Sequence, residues 1–545
     1  MAEAAIPGAG VNPYGLLARE RTLASAQFNR WLVPPAALAI HLCIGMAYGF
    51  SVFWLPMSRL LPAAPACTHG FLAELTASNC NWSVADVTHI FETFIAMLGL
   101  SAAIWGGWLE RAGPRRSGLI AATCWGGGLL LAGYGVAIHQ LWLVYLGGGL
   151  IGGIGQGLGY ITPVSTLIKW FPDRRGMATG FAIMGYGGGA MIGSPLAVWL
   201  MAHFASGAVS GVAATLAVMG ALYFIVMTLG AFGFRVPPSG WKPARGALGP
   251  EARGPMISAE HVHLSIAWRT PQFWLIWGVL CLNVTAGIAV IAMASPMLQE
   301  VFGGRLLGLE AGVALSAAQK AAIVAAAAGL VGLISLFNSL GRLFWASASD
   351  YLGRKNTYHV FFLVGIVLYA LLPTWGHLGL APLFVISICI ILSMYGGGFA
   401  TLPAYLADIF GTQMVGAIHG RLITAWSVAG VVGPALIAQL REAQLRAGVA
   451  SNLVYDRTLY IMAALLFFGF ICNLFVRPVH ARHRMSAEQL ARERALQHEA
   501  GVAGTRAEDA ARGAFGAVGL IAWLAVGIPF LIGLYIALDK AIALF

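Results

Sequence analysis

Apolar stretches long enough to cross a bilayer recur thirteen times along the chain, near 33–61, 87–109, 117–138, 141–168, 176–203, 211–234, 272–299, 321–346, 357–376, 380–405, 416–440, 457–476 and 515–538. They are numbered α1 to α13 here. About 20 apolar residues suffice for a helical span, and a backbone in hydrocarbon must satisfy its own hydrogen bonds, so these stretches have to be helices. Composition agrees: 59% of the 545 residues are hydrophobic and 10% are charged. A soluble domain carries about 25% charged residues. The reading is an all-α membrane protein, and lipid is its first partner. The first 30 residues are too polar for a cleaved signal peptide.

The distribution of basic residues orients the chain. With the N-terminus in the cytoplasm, 23 of the 32 Lys/Arg fall on cytoplasmic segments, seven on outer segments, and two, Arg342 and Arg421, inside spans. This is the positive-inside bias of a membrane protein. It accounts for the net charge of +11 without nucleic acid. The thirteenth span then leaves the C-terminus outside, in a multi-pass arrangement suited to a bacterial inner membrane. Cys67 and Cys80 lie in the long outer loop between α1 and α2, where an oxidising compartment would allow a disulfide. Two free thiols are the alternative. The other five cysteines lie in spans and read as small apolar residues.

A shift of 240 residues superimposes the two halves of the sequence without a gap. Pro56 falls on Pro296, Trp105 on Trp345, Glu110 on Asp350, Gly113 on Gly353, Arg115 on Lys355, Pro163 on Pro403, and Gly176, Gly180 and Gly193 on Gly416, Gly420 and Gly433. Matched prolines and loop charges are costlier coincidences than matched apolar residues. The organisation expected is an N-terminal arm (1–30), a six-helix half (31–234), a cytoplasmic linker (235–270), a second six-helix half (271–476), a charged tail (477–514) and an extra helix (515–545). Parallel repeats of this kind place a substrate site between the halves near the bilayer midplane.

The loops after α2 and α8, GGWLERAGPRR (106–116) and ASASDYLGRKN (346–356), each set an acid, then Gly, then basic residues. Glu110, Arg111, Arg115, Asp350, Arg354 and Lys355 are therefore candidate gating residues: a charge latch that closes the inner side and breaks on opening. Two six-helix halves with this loop in each resemble the major facilitator superfamily. Within it, GMAYGFSVFWLPM (45–57), GQGLGYITPVSTLIKWFPDRRGMATG (155–180), MYGGGFATLPAYLADIFG (394–411) and GAIHGRLITAWSVAGVVGP (416–434) resemble the oxalate:formate antiporter family. That resemblance implies a basic pair, an arginine in α8 and a lysine midway along α11. Arg342 matches the first, whereas Trp426 stands at the second. It also likens α13 to a short single-span companion protein, fused here, with scaffolding as its expected role.

Arg342 lies eight residues before Asp350, about 12 Å inward at 1.5 Å per residue. A charge that deep costs about 2.5–3.5 kcal/mol even on insertion scales, so it should face a cavity. It shares a helical stripe with Ser335, Asn338 and Ser349. Arg421 is shallower, a candidate for the site or for snorkelling to the inner surface. Glu92, beside His89 near the outer end of α2, is a possible proton site or a solvated surface acid. With two arginines and a single peripheral acid, the spans favour an anion, and a guanidinium matches a carboxylate. Tyr48, Tyr160, Tyr186, Tyr395 and Trp426 are the aromatic candidates for the walls; Tyr186 and Trp426 are partners under the 240 shift.

The expected function is thus secondary transport of a small carboxylate anion of the formate, oxalate and pyruvate class, by alternating access and antiport. A proton-coupled monocarboxylate symporter is the alternative. A membrane sensor or enzyme is disfavoured: the sequence has no P-loop, nucleophile motif or clustered metal ligands. No cofactor and no metal are expected, and the protein reads as a monomer.

Overall fold

The computed structural model describes residues 15–25, 28–61, 64–65, 67, 71–206, 210–238, 241, 256–258, 260–308, 316–496 and 516–542. The expectations for the start of the arm, for much of the linker and for the end of the tail lie outside the described residues. Among the described residues thirteen helices are long and apolar enough to span: α1 Arg30–Gly49, α2 His89–Ala112, α3 Pro114–Ala137, α4 Leu141–Trp170, α5 Arg175–Phe204, α6 Val212–Gly233, α7 Pro271–Ala294, α8 Leu330–Leu352, α9 Arg354–His377, α10 Ala381–Phe410, α11 Val415–Arg446, α12 Ser451–Phe475 and α13 Gly516–Tyr535. Among the described residues the only β pairing is two isolated bridges, Leu23 with Val236 and Val262 with Arg484.

Local chemistry starts and stops these helices. Ser83 caps the helix containing α2 by accepting from the Asp86 amide, and Thr270 caps α7 just before Pro271. A capped N-terminus satisfies amides that lack an intrahelical acceptor. Gly113 and Gly353 end α2 and α8 at φ of 83° and 81°, a left-handed backbone that favours glycine. They occupy the same place under the 240 shift, so both halves make the same turn.

The seams between the halves are also copies. Along α5 and α8, a Cβ on Gly176 would collide with the Ala346 carbonyl, and one on Gly180 would lie 3.0 Å from the Arg342 carbonyl. Along α11 and α2, Gly106 faces Ala417, and a Cβ on Gly420 would collide with the Ala102 carbonyl. Shifting 176, 180, 342 and 346 by 240 exchanges one seam for the other. Small residues at these crossings let backbones approach where lipid supplies no hydrophobic drive. The outward faces carry exposed apolar side chains such as Ile104, Leu229, Val367 and Phe468, as a lipid-facing surface requires.

Two features flank this bundle. In the loop between α1 and α2 Cys67 and Cys80 form a disulfide with their Cα atoms 5.0 Å apart. The Cys80 carbonyl accepts from His139, whose ring stacks on Trp82. Helix α13 lies outside the twelve, against α1, α5 and α8. Its Trp523 donates to the Trp31 carbonyl at 3.1 Å and meets Phe181 edge-on. Phe530 packs where Gly188 has no side chain.

Candidate functional site

At mid-depth, where the halves meet, α8 presents Arg342 with none of its surface exposed. Its Nε donates to Asn338 Oδ1 and its Nη1 to the Ile183 carbonyl of α5, both at 3.2 Å. Glycines make this reach possible: a Cβ on Gly187 would lie 2.7 Å from Ser339 Oγ and 3.1 Å from Arg342 Nε. The guanidinium carbon stands 5.7 Å from the Tyr186 ring and 5.4 Å from Phe399, within cation–π range. No described carboxylate pairs with it. The third nitrogen, Nη2, is buried and has no partner.

Aromatic side chains close around it. Trp426 of α11 lies 5.4 Å from both Tyr160 and Tyr186 and 4.8 Å from Phe399. Tyr48 meets Tyr186 edge-on at 5.2 Å. Its hydroxyl lies 3.3 Å from that of Tyr395, a hydrogen bond from α1 to α10. Tyr160, Tyr186, Tyr395 and Trp426 are at most 1% exposed, whereas Tyr48 is half-buried. Tyr160 Oη, Tyr186 Oη, Ser339 Oγ and Trp426 Nε1 join Arg342 Nη2 as buried polar atoms without partners. Buried polar groups are almost always paired, and an unpaired one costs about 1–3 kcal/mol. Several such atoms lie in one aromatic box, beside an unpaired arginine nitrogen.

Seven of the residues singled out from the sequence are thus brought together: Arg342, Asn338, Trp426, Tyr186, Tyr395, Tyr48 and Tyr160. Arg421 is not among them. It snorkels, donating to the Leu264 carbonyl at 3.2 Å beside Trp268. Glu92 is also apart from the box, 43% exposed and paired to His89 at 2.9 Å. Four further residues at or beside the box escaped the sequence reading. Phe399 and Ser339 carry no signal in an apolar helix. His41 and His419 do: each is a polar residue inside a span, and both are buried beside Tyr160.

At the end of the bundle that carries the α2–α3 and α8–α9 turns, carboxylates cross the seam. Asp350 of α8 accepts from the Gly176 and Met177 amides at the start of α5, each at 2.9 Å. Glu110 of α2 accepts from the Gly416 amide at the start of α11 at 3.0 Å. Each acid therefore caps a helix of the opposite half, where the aligned peptide dipoles favour negative charge. Arg354 bridges Asp350 at 2.5 Å and Asp408 at 3.3 Å, and Asp408 also takes Arg175 at 2.9 Å.

The loop basic residues divide differently from the sequence expectation. Only Arg354 joins the latch. Glu110 is neutralised by Lys169 at 2.7 Å, not by Arg111 or Arg115. Arg111 is exposed, and Arg115 points to the arm, donating to the Leu16 carbonyl at 2.8 Å. Lys355 caps the end of α12 through the Leu474 and Val476 carbonyls. Position after the turn does not decide this, since Arg354 itself begins α9: Arg115 is taken by the arm and Lys355 by the end of α12. Just beyond the C-terminal end of α7, burial works against the Glu300 carboxylate, but hydrogen bonds from Arg441 and Tyr455 hold it below the ordinary carboxylate range.

Two matching seams join the halves around the arginine box, and the sequence pattern of the Major Facilitator Superfamily matches residues 37–434. The chain belongs to this superfamily of transporters and is a multi-pass membrane protein. It is 29% identical over 474 residues to the oxalate:formate antiporter of Oxalobacter formigenes, covering 85% of this chain and 96% of that one. It is 23% identical over 473 residues to apicoplast pyruvate carrier 1 of Toxoplasma gondii, covering 73% and 81% of the two chains. Among solved structures, the proton:xylose symporter XylE superimposes with a TM-score of 0.55 at 13% identity, over 85% of this chain and 98% of that one. The resemblance read from the four sequence stretches holds, and the solved structure supports the fold.

Proposed function

We propose that this chain is a secondary carrier of small carboxylate anions, of the formate, oxalate and pyruvate class, working by alternating access with anion exchange as a principal mode. The observation that carries the reading is Arg342: a fully buried cation with a free nitrogen, unpaired to any described acid, in a box of unpartnered hydroxyl and indole donors. A carboxylate offers about four acceptor sites to donors of this kind, and its charge replaces what the guanidinium lost on leaving water. Aromatic walls suit a small planar guest. The relatives are named for oxalate, formate and pyruvate, which lie in the same class.

In this reading the inner acids are the thick gate. Opening inward pulls Asp350 from the α5 terminus, Glu110 from the α11 terminus and Arg175 from Asp408. The thin outer gate is the Tyr48 to Tyr395 hydrogen bond, with half-buried Tyr48 as the moving part. The protein sits in a bacterial plasma membrane with the arm and linker on the cytoplasmic side. In this reading the arm (1–30), the two halves (31–234 and 271–476), the linker (235–270), the tail (477–514) and the added helix (515–545) are the parts of the chain.

Counterflow tests this directly. Proteoliposomes preloaded with unlabelled pyruvate, formate or oxalate should take up the same labelled anion several-fold faster than empty ones, and preloading with a neutral sugar should have no effect. Acceleration by the sugar, or by none of the three anions, would overturn the reading.

A further inference from the structure

His41 lies in α1 with no exposed surface. Both of its ring nitrogens face backbone carbonyls: Nδ1 meets the Ala182 oxygen of α5, and Nε2 meets the Tyr160 oxygen of α4 at 3.2 Å. A neutral imidazole has one N–H and one lone pair, so it can satisfy only one of two carbonyl oxygens. The other contact then sets a lone pair against a lone pair. An imidazolium donates to both. The protein has thus built a pocket whose hydrogen bonds are complete only with a proton added.

That pocket is joined to the arginine box through α5. His41 takes the Ala182 carbonyl, while Arg342 takes the next one, Ile183. The Tyr186 ring stands between them, 6.4 Å from the His41 ring and 5.7 Å from the guanidinium carbon. The titratable and charged groups facing His41 are Tyr160 from α4, Tyr186 from α5, Arg342 from α8 across Tyr186, and His419 from α11 across Tyr160. Of the other packed elements, α3 sends Trp125 to the Cys43 carbonyl of α1, α6 presents Tyr223, which stacks on Trp125, and α13 presents Phe530 beside Leu42. No described carboxylate is paired to it. An empty site therefore holds one fixed cation, which repels a second. An anion on Arg342 cancels that repulsion, so anion and proton favour each other's binding, and the favour is reciprocal.

We infer that His41 is the proton site of this carrier, loading a proton together with the carboxylate and releasing both on the far side. The step is a simple transfer: the imidazole lone pair takes a proton from water on the loading side and returns it to water on the other. No other group changes charge, and the anion and proton cross as a neutral pair. An exchange cycle returns the carrier loaded; net uptake returns it empty. This rests on the carboxylate reading above and replaces Glu92, which lies exposed and outside the box, as the proton carrier.

The test uses full-length protein in proteoliposomes, labelled pyruvate, and a pH dye in the lumen, with protein-free vesicles subtracted for passive entry of the acid. With pH 6 outside and pH 8 inside, wild type should accumulate pyruvate roughly 100-fold, one tenfold step per pH unit for one proton. The lumen should acidify in step. His41→Gln should still exchange pyruvate, at a lower rate, but lose gradient-driven accumulation and acidification. His41→Arg, a fixed cation, should behave likewise, so misfolding of one variant leaves the other as a test. Pyruvate exchange by wild type with neither gradient-driven accumulation nor lumen acidification during net uptake overturns the proton site alone. Coupling that survives in either folded variant overturns it too, as does coupling lost only in His419→Gln. Absence of any carboxylate exchange by wild type would instead sink the carrier reading on which this one stands.

Discussion

Arg342→Gln separates an anion-binding arginine from a structural one. In the wild type Nε and Nη1 are engaged by Asn338 and Ile183, which leaves Nη2 to the guest. A hydrogen bond to a charged group contributes about 1.5–3 kcal/mol. Losing one such bond weakens binding by about 10-fold to 150-fold, since about 1.4 kcal/mol is a factor of ten. Glutamine preserves most of the bulk and can still donate to Asn338 or Ile183, so the packing against Tyr186 and Phe399 changes little. Arg342→Lys keeps the charge but loses the planar fork that reaches two partners and the guest at once, so it should recover only part of the affinity. The assay is half-saturation of carboxylate counterflow in proteoliposomes, normalised to folded protein by size-exclusion profile. A structural arginine predicts the opposite pattern: both variants insert poorly, and whatever folds transports normally. Wild-type half-saturation in well-folded Arg342→Gln would refute the anion site and most of the case for a carboxylate.

Three further outcomes follow from the geometry. Asp350→Asn and Glu110→Gln each remove a charge from the opposite half's helix terminus, worth about 0.3–2 kcal/mol; hydrogen–deuterium exchange should quicken at residues 176–180 and 416–420 respectively, and unchanged exchange would remove these acids from the gate. Trp426→Lys adds a second cation beside Arg342 and should raise affinity for oxalate relative to formate; an unaltered competition ratio in folded protein would place residue 426 outside the anion's reach. Cys67→Ser opens a cross-link of sequence separation 13, a loop constraint worth about 3 kcal/mol; the outer loop should become protease-sensitive while anion preference stays as in wild type, and free alkylated thiols at both positions in thiol-blocked wild type would disprove the bridge.

How far the chain alone reached depended on the kind of constraint. Lipid imposes a local rule on every residue of a span, so the thirteen helices and the positive-inside pattern can be read one segment at a time. The 240-residue repeat is also one-dimensional information, and it located Glu110 with Asp350 and Gly113 with Gly353 before any contact was known. Arg342 stood out because a charge at that depth is expensive anywhere. Partner choice is different, because it depends on which helices meet. Glu110 has three basic residues within six positions of it in its own loop or at the start of α3, yet it pairs with Lys169 and the Gly416 amide, because α2 lies beside α4 and crosses α11. Arg421 could be read as part of the site or as snorkelling away from it, and only the approach of Leu264 and Trp268 decides for the second. His41 is one polar residue in an apolar helix until the Ala182 and Tyr160 carbonyls are set on either side of its ring. Period, charge and hydropathy are properties of a sequence; complementarity between atoms more than a hundred residues apart arises only when the helices pack.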